Sequence, residues 1–349
     1  MDLRNNLFTY ATSELSQDAF LCWMLSFAMP ESKGDHALRS CAEQLLRIAI
    51  PELVGTSVCV DEISRQTDSI DVLITVNGRY KLIIEDKTYT SEHSNQLSRY
   101  LQHIEEKFPQ FTVCGVYYKT GFQSDYTTVR DAGYTIIDRK KMISIMKPFS
   151  AQITNHIWQD YYEFLATFEA EAEQFRTLPI HKWEWRQINA FYDNLKQTGF
   201  LEELGVSGNY GYVSNPTGGF DGMWFGQWER FSILDVSCEL YLQLQFVEGQ
   251  LHICLKLSAD KDALTEKRLT GRMLRDRVVY GKAGEYLFEK HGFLRPARFG
   301  NGRTMTLGEY RSTPAFANDA CTAIHDATAA YFRILQETKF GGNTQCCLR

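Results

Sequence analysis

Two apolar runs, Ile70–Val76 and Tyr80–Glu85, flank Asn77-Gly78, and each carries a carboxylate where a buried strand ordinarily has none. Val, Ile and Leu dominate both runs, which reads as β-structure, and Asn-Gly is the strongest short-range signal for a hairpin turn. Asp71 lies inside the first run; Glu85 ends the second and is followed by Asp86 and Lys87. A carboxylate enclosed in an apolar strand is costly unless a cation or strong donors compensate it. Two of them on neighbouring strands predict a metal site. Alternate residues of a strand share a face, so Glu85 and Lys87 point one way and Asp86 the other.

The turn carries a geometric condition. A two-residue Asn77-Gly78 loop sets Asp71 opposite Ile84, and Asp71 and Glu85 then face opposite sides. A three-residue loop, Val76-Asn77-Gly78 with Gly78 left-handed, sets Asp71 opposite Ile83 and on the Glu85 face. A shared site therefore predicts an odd loop or a bulge here. Oxygen ligands from Asp71 and Glu85, with the Asp86 carbonyl, suit Mg²⁺ or Mn²⁺, which keep waters and accept further oxygens from phosphate. Lys87 beside such an ion can orient an attacking water and offset charge growing on phosphate.

The rest of the first half alternates helical and strand periods. Helical spacing over Ser16–Met29 (Ala19, Phe20, Trp23, Met24, Phe27), with Ser16 as N-cap, precedes a second helix over Ala37–Ile48 that ends at Pro51. A strand over Ser57–Ile63 leads into the hairpin, with Asp61 and Glu62 expected to face solvent. After it come a helix over Glu92–Phe108, strands at Phe111–Tyr118 and Tyr134–Ile137, and an amphipathic helix over Ile153–Phe175. Pro179 and the Trp183–Trp185 cluster mark a boundary. The second half begins with a helix over Gln187–Gly199 and a Gly- and aromatic-rich stretch from Gly208 to Gly226. Strand-like runs at Phe231–Phe246 and Leu251–Leu257 follow, then helices within Lys261–Lys290 and over Ala315–Leu335.

The D…E-x-K hairpin, preceded by a helix bearing an acid, resembles the PD-(D/E)XK nuclease superfamily. The resemblance implies a restriction-endonuclease-like α/β fold, a mixed sheet flanked by helices. It also implies a site of Glu14 from the first helix, Asp71 from the second strand, and Glu85 and Lys87 from the third. A Gln96-Leu-Ser-Arg-Tyr100 sequence is similar to the Q-x-x-x-Y of the RecB-type and lambda-exonuclease-like branches. Four apart, Gln96 and Tyr100 share a helix face; the resemblance implies that Gln96 supports the metal site and Tyr100 contacts DNA. Ser13-Glu-Leu-Ser-Gln-Asp-Ala-Phe20, Ile-Asp-Val-Leu-Ile and Ile-Ile-Glu-Asp-Lys resemble a bacterial group of uncharacterised PD-(D/E)XK nucleases. The core of the resemblance spans Leu7–Ile137. Ile70 stands where the family motif has proline, a residue that ligates nothing. Glu14 has a rival in Asp18, and a Glu near a helix start is commonly a partner of the helix dipole. His93 lies one turn before Gln96 and is expected to face solvent.

These readings divide the chain into a nuclease domain over residues 1–175, an α+β domain over 180–340 and a tail over 341–349. The formal net charge of −6 argues mildly against a polyanionic partner. Between Lys267 and Arg311, however, eleven Lys and Arg stand against four acids, a local +7, which leaves −13 elsewhere. A basic stretch of that kind can hold nucleic acid or a protein partner locally, or serve as a solvated face. No run of about 18 apolar residues predicts a membrane span, and the apolar stretch from Phe20 to Met29 does not read as an export signal. Nine scattered cysteines without C-x-x-C pairs fit reduced thiols in a cytoplasmic protein and no structural zinc. G-x-S-x-G, P-loop and G-x-G-x-x-G motifs are absent. The expectation is an Mg²⁺- or Mn²⁺-dependent deoxyribonuclease, acting in defence against foreign DNA. The alternative is a nuclease-derived scaffold, inactive or active only within a complex or homo-oligomer.

Overall fold

The computed structural model describes residues 5–32, 34–92, 95–215, 218–279, 288–296 and 302–338. The chain divides into two compact units, Met1–Glu171 and Ala172–Arg349. The first contains α1 (Glu14–Ser26), α2 (His36–Ala49), β1 (Val60–Thr67), β2 (Ile70–Val76), β3 (Tyr80–Lys87), α3 (Gln96–Lys107), β4 (Thr112–Lys119), α4 (Thr127–Asp131), β5 (Thr135–Asp138), α5 (Arg139–Met146) and α6 (His156–Glu173).

Its five strands form one sheet in the order β1-β2-β3-β4-β5. The first three are antiparallel; β3–β4 and β4–β5 are parallel, with α3 and α4 as the crossovers. A parallel pair needs such a crossover, and helices then cover both faces. On one face, side chains of α1, α2 and α6 pack on Val72, Ile74, Leu82, Ile84 and Tyr118. On the other, Leu97 and Ile104 of α3 and Val129 of α4 pack on Leu73, Ile83 and Tyr117. All eight residues of β3 are buried, which is why its sequence lacks the polar–apolar alternation of a half-exposed strand.

The hairpin has an odd loop, with the extra residue on the far side of the turn from the one expected. Val76 pairs with Tyr80, which leaves Asn77-Gly78-Arg79 between them. Asn77 and Gly78 both take left-handed φ, +52° and +56°, and Arg79 N–H donates to Val76 O at 3.1 Å. Neighbouring groups hold the turn: Asn77 accepts from Cys59 N–H at 2.7 Å, and Asp61 accepts from Gly78 N–H at 2.6 Å. Val72 lies opposite Ile84, so the register continues with Asp71 level with Glu85 rather than Ile83. The two carboxylates share a face, as a common site requires.

Other boundaries shift for local reasons. The first helix begins at Glu14 with Ser13 as N-cap, a turn earlier than Ser16 suggested. The third begins at Gln96, because Glu92 stays outside it and accepts from Gln96 N–H at 3.0 Å. The first strand runs to Thr67, with a register shift between Val60 and Glu62; Asp61 and Glu62 are exposed.

Close packing appears where β4 meets the strand beside it. A Cβ on Gly115 would lie 2.7 Å from the Tyr134 ring, a ring that is itself buried. Gly115→Ala should cost about 1–3 kcal/mol, the usual penalty for overfilling a packed core. A lowered urea midpoint with an unchanged slope is the expected reading, and an unchanged midpoint would show that the ring yields freely.

The second unit contains α7 (Trp185–Gln197), α8 (Phe200–Glu203), β6 (Ser207–Asn215), β7 (Gly218–Gly226), β8 (Arg230–Ile233), β9 (Val236–Val247), β10 (Gln250–Ala259), α9 (Lys261–Glu266), α10 (Gly271–Val279), β11 (Phe293–Leu294), β12 (Thr304–Tyr310) and α11 (Ala317–Thr338). Its strands make a seven-stranded antiparallel sheet, β11-β12-β10-β9-β7-β6 with β8 on β9. The Gly- and aromatic-rich stretch is the β6–β7 hairpin. The run Phe231–Phe246 is broken at Leu234-Asp235, both left-handed, into β8 and β9. Part of the expected helical region Lys261–Lys290, part of the basic stretch, and the 341–349 tail lie outside the described residues. Among the described residues, no helix is long and apolar enough to cross a membrane.

Candidate active site

The charged residues of the hairpin meet at the end of β3. Lys87 Nζ donates to Glu85 Oε1 and lies 3.8 Å from Asp71 Oδ2. The same Asp71 oxygen accepts from Asp86 N–H at 3.0 Å, so the second strand's carboxylate is anchored to the third strand's backbone. Gln96 Nε2 donates both to Glu85 Oε1, at 2.9 Å, and to Tyr100 OH, at 2.8 Å. Gln96 thus orients the Glu85 carboxylate from α3, while Tyr100 is tied to the site through Gln96. His93 lies outside the described residues.

Glu14 enters from the first turn of α1. Its Oε1 accepts from Thr88 N–H at 2.8 Å and from Thr90 Oγ at 3.3 Å. A carboxylate at this position is favoured by the helix dipole, yet its bonds go to the segment that continues β3. Glu14, Asp71, Glu85, Lys87, Gln96 and Tyr100 therefore belong to one bonded neighbourhood around the end of that strand. Asp86 is the exception by face: its N–H serves Asp71, and its carboxylate lies on the α1 side of the sheet.

Burial makes this neighbourhood electrostatically costly. Glu85 is 0% exposed, and its Oε2 has no hydrogen-bond partner among the described residues. Burial, then the Asp71 charge, push its pKa up to about 7, against the opposing pull of Lys87. Burial alone draws Lys87 toward neutrality, but the bond and charge of Glu85, with Asp71 and Glu14, outweigh it and hold its pKa above the ordinary lysine value. Lys87 is therefore an ammonium at neutral pH, a donor rather than a base.

Among the described residues, no three His, Cys, Asp or Glu side chains close on one metal-sized point, and Lys87 lies between Glu85 and Asp71. The unpartnered Oε2 of Glu85 is the observation that fits a cation. It is a hard, buried oxygen with no donor, beside a second carboxylate. Asp71, Glu85 and the Asp86 carbonyl, which accepts from Lys87 Nζ at 3.2 Å, are the oxygens that could meet a divalent cation there, with Glu14 adjoining.

Three contributors were not singled out from sequence. Gln66 adopts φ +49°, and its Nε2 reaches Asp18 Oδ2 at 3.3 Å and Asp71 Oδ1 at 3.4 Å. Lys119 is 0% exposed at the end of β4, paired beside Lys87; it donates to Thr90 O, and burial pulls its pKa down to about 8 although Glu14 and Asp86 act against this. Asp18, weighed only as a rival to Glu14, is 1% exposed. A lysine directly after Val116-Tyr117-Tyr118 was a readable signal of buried charge; nothing local marked Gln66.

Residues 5–174 match the family model described as the PD-(D/E)XK nuclease superfamily. No curated protein and no solved structure matches the chain.

Proposed function

From an N-terminal unit that belongs to the PD-(D/E)XK nuclease superfamily, we infer a deoxyribonuclease that hydrolyses phosphodiester bonds with Mg²⁺ or Mn²⁺. The observation that carries this reading is Lys87 held between Glu85 and Asp71, beside an unpartnered buried carboxylate oxygen. Asp71 and Glu85, with the Asp86 carbonyl, would hold the ion. Bound there, it supplies positive charge to the phosphoryl oxygens and lowers the cost of forming hydroxide from water.

The chain's own groups do the rest. The Lys87 ammonium donates toward the phosphate and the attacking water, and so stabilises charge that grows on phosphate. Gln96 holds Glu85 in one orientation, and the Asp86 N–H does the same for Asp71. Tyr100, partly exposed and bonded to Gln96, would contact the DNA strand. The second unit, with its basic stretch, supplies a further surface for nucleic acid or a partner protein. Restriction of foreign DNA in the cytoplasm is the role suggested by the bacterial group that this sequence resembles.

The deciding assay is cleavage of linear, closed circular and single-stranded DNA with Mg²⁺, Mn²⁺ or EDTA. Cutting that EDTA abolishes is expected, and preference among the substrates separates end-dependent from internal cleavage. Inertness on all three, with RNA cut instead, would replace the substrate class. Inertness on every nucleic acid would leave the scaffold reading in possession.

A further inference from the structure

The segment that continues β3 beyond Lys87 is held from two sides. From α1, one oxygen of Glu14 accepts from both Thr88 N–H, at 2.8 Å, and Thr90 Oγ, at 3.3 Å, and Gln17 Nε2 donates to Thr88 Oγ. From the end of β4, Lys119 Nζ donates to Thr90 O. The backbones also pack closely there, since a Cβ on Gly121 would collide with Thr88 O. Thr120 N–H donates to Lys87 O at 3.2 Å, which carries the β3–β4 ladder to the edge of the segment.

Between the two anchored threonines stands Tyr89, 69% exposed. Its backbone is fixed on both sides while most of its side chain meets water. An aromatic on a segment ordered in this way loses little further freedom when it meets a ligand, so contact with it is cheap in entropy. Two residues of chain span at most about 7 Å, so Tyr89 lies within reach of a group that adjoins a phosphate at Lys87. A positive charge stands at the same end of the sheet. Arg65 is exposed, donates to Leu15 O at 3.1 Å, and pairs with Val72, the neighbour of Asp71.

The part of a nucleic-acid strand that adjoins each phosphate and suits an aromatic ring is the base. Inside an intact duplex, neighbouring pairs cover both faces of every base, and a ring can stack only if the base is first extruded. In a single strand each base offers a face, and stacking is tolerant of sequence.

We propose that Tyr89 is a substrate-binding residue that stacks on an unpaired base beside the scissile phosphate. The site then takes a strand with a free base face: a single strand, an overhang or a frayed end. This inference rests on the nuclease reading for the position of the phosphate.

The test is equilibrium binding of fluorescein-labelled single strands, as DNA and as RNA, to the full chain. Anisotropy is read with Ca²⁺ in place of Mg²⁺ on strands verified intact, and cleavage in Mg²⁺ or Mn²⁺ is a separate arm. Tyr89→Ala should raise Kd by about 5–150-fold, the span of one base–aromatic stack, and Tyr89→Phe should stay close to wild type. Strands carrying one abasic nucleotide, moved stepwise along the sequence, read the contact itself. One position should weaken wild-type binding by the same factor and should cost Tyr89→Ala nothing further. An equal Kd for wild type and Tyr89→Ala would overturn the inference. So would a loss in Tyr89→Ala that is the same at every abasic position, the mark of a merely structural role. In either case, cleavage by wild type leaves the nuclease reading standing. The expected abasic pattern without cleavage would support the stacking and count against the nuclease reading alone. No strand bound by wild type would overturn both.

Discussion

Lys87→Ala should lower DNA hydrolysis by about 10²–10³-fold at saturating Mg²⁺, the usual loss when one donor to a developing oxyanion is removed. The argument rests on charge state. Glu85, Asp71 and Glu14 hold Lys87 protonated against the effect of burial, so its contribution is a fixed positive charge and a directed N–H. Alanine removes both and leaves Glu85 and Asp71 facing each other. In metal-free buffer the variant should therefore also be less stable than wild type, since breaking a buried pair by removing one partner strands the other charge. Added Mg²⁺ should restore most of that stability without restoring the rate. Single-turnover cleavage beside thermal melts separates the two effects. A variant that cleaves at the wild-type rate would remove Lys87 from the chemistry.

Glu85→Gln should do the reverse to stability while also abolishing cleavage. Glu85 has its pKa raised from 4.5 to about 7 in the fold. A carboxyl group raised in this way contributes stability that is full below its ordinary value and is lost as pH rises through the folded value. Gln mimics the protonated acid, and its carbonyl oxygen can still accept from Lys87 and Gln96. Without metal, the variant should be more stable than wild type by about 1–3 kcal/mol at pH 8, the gap closing below pH 4.5. Taking the difference between the two proteins cancels the other titrating groups. Metal affinity should fall by more than the roughly 10–100-fold that loss of an outer-shell partner costs. A wild type more stable than Glu85→Gln at pH 8 without metal would contradict the direction of the shift. Unchanged Mn²⁺ affinity would remove Glu85 from the ligand set.

Much of this site is written in short stretches of sequence. Ile70–Val76 was readable residue for residue, because an apolar run enclosed by turn signals has few alternatives as structure. The common face of Glu85 and Lys87 follows from strand alternation alone. Gln96 and Tyr100 are one helical turn apart and do meet, as spacing requires. What was missed involves longer reach. β12 follows a stretch rich in Arg and Gly that shows no strand alternation, and it forms because β10 and β11 pair with it. The end of β1 was misplaced because its pairing with β2, more than its own pattern, fixes its extent.

What the sequence by itself determined is the hairpin, the face shared by Glu85 and Lys87, and the requirement for an odd loop between Asp71 and Glu85. These depend on strand period and turn chemistry, which act over a few residues. The tertiary structure decided which odd loop forms, since Asp61 and Cys59 of the β1 region hold Asn77 and Gly78 in place. It also decided that Lys119, Gln66 and Asp18 join the site, from positions 32 residues after Lys87 to 53 residues before Asp71 along the chain. A carboxylate on a helix carries no local sign of whether it will be solvated. Only the packing of α1 against β3 removes water from Asp18 and Asp86, and that desolvation disfavours their charged forms.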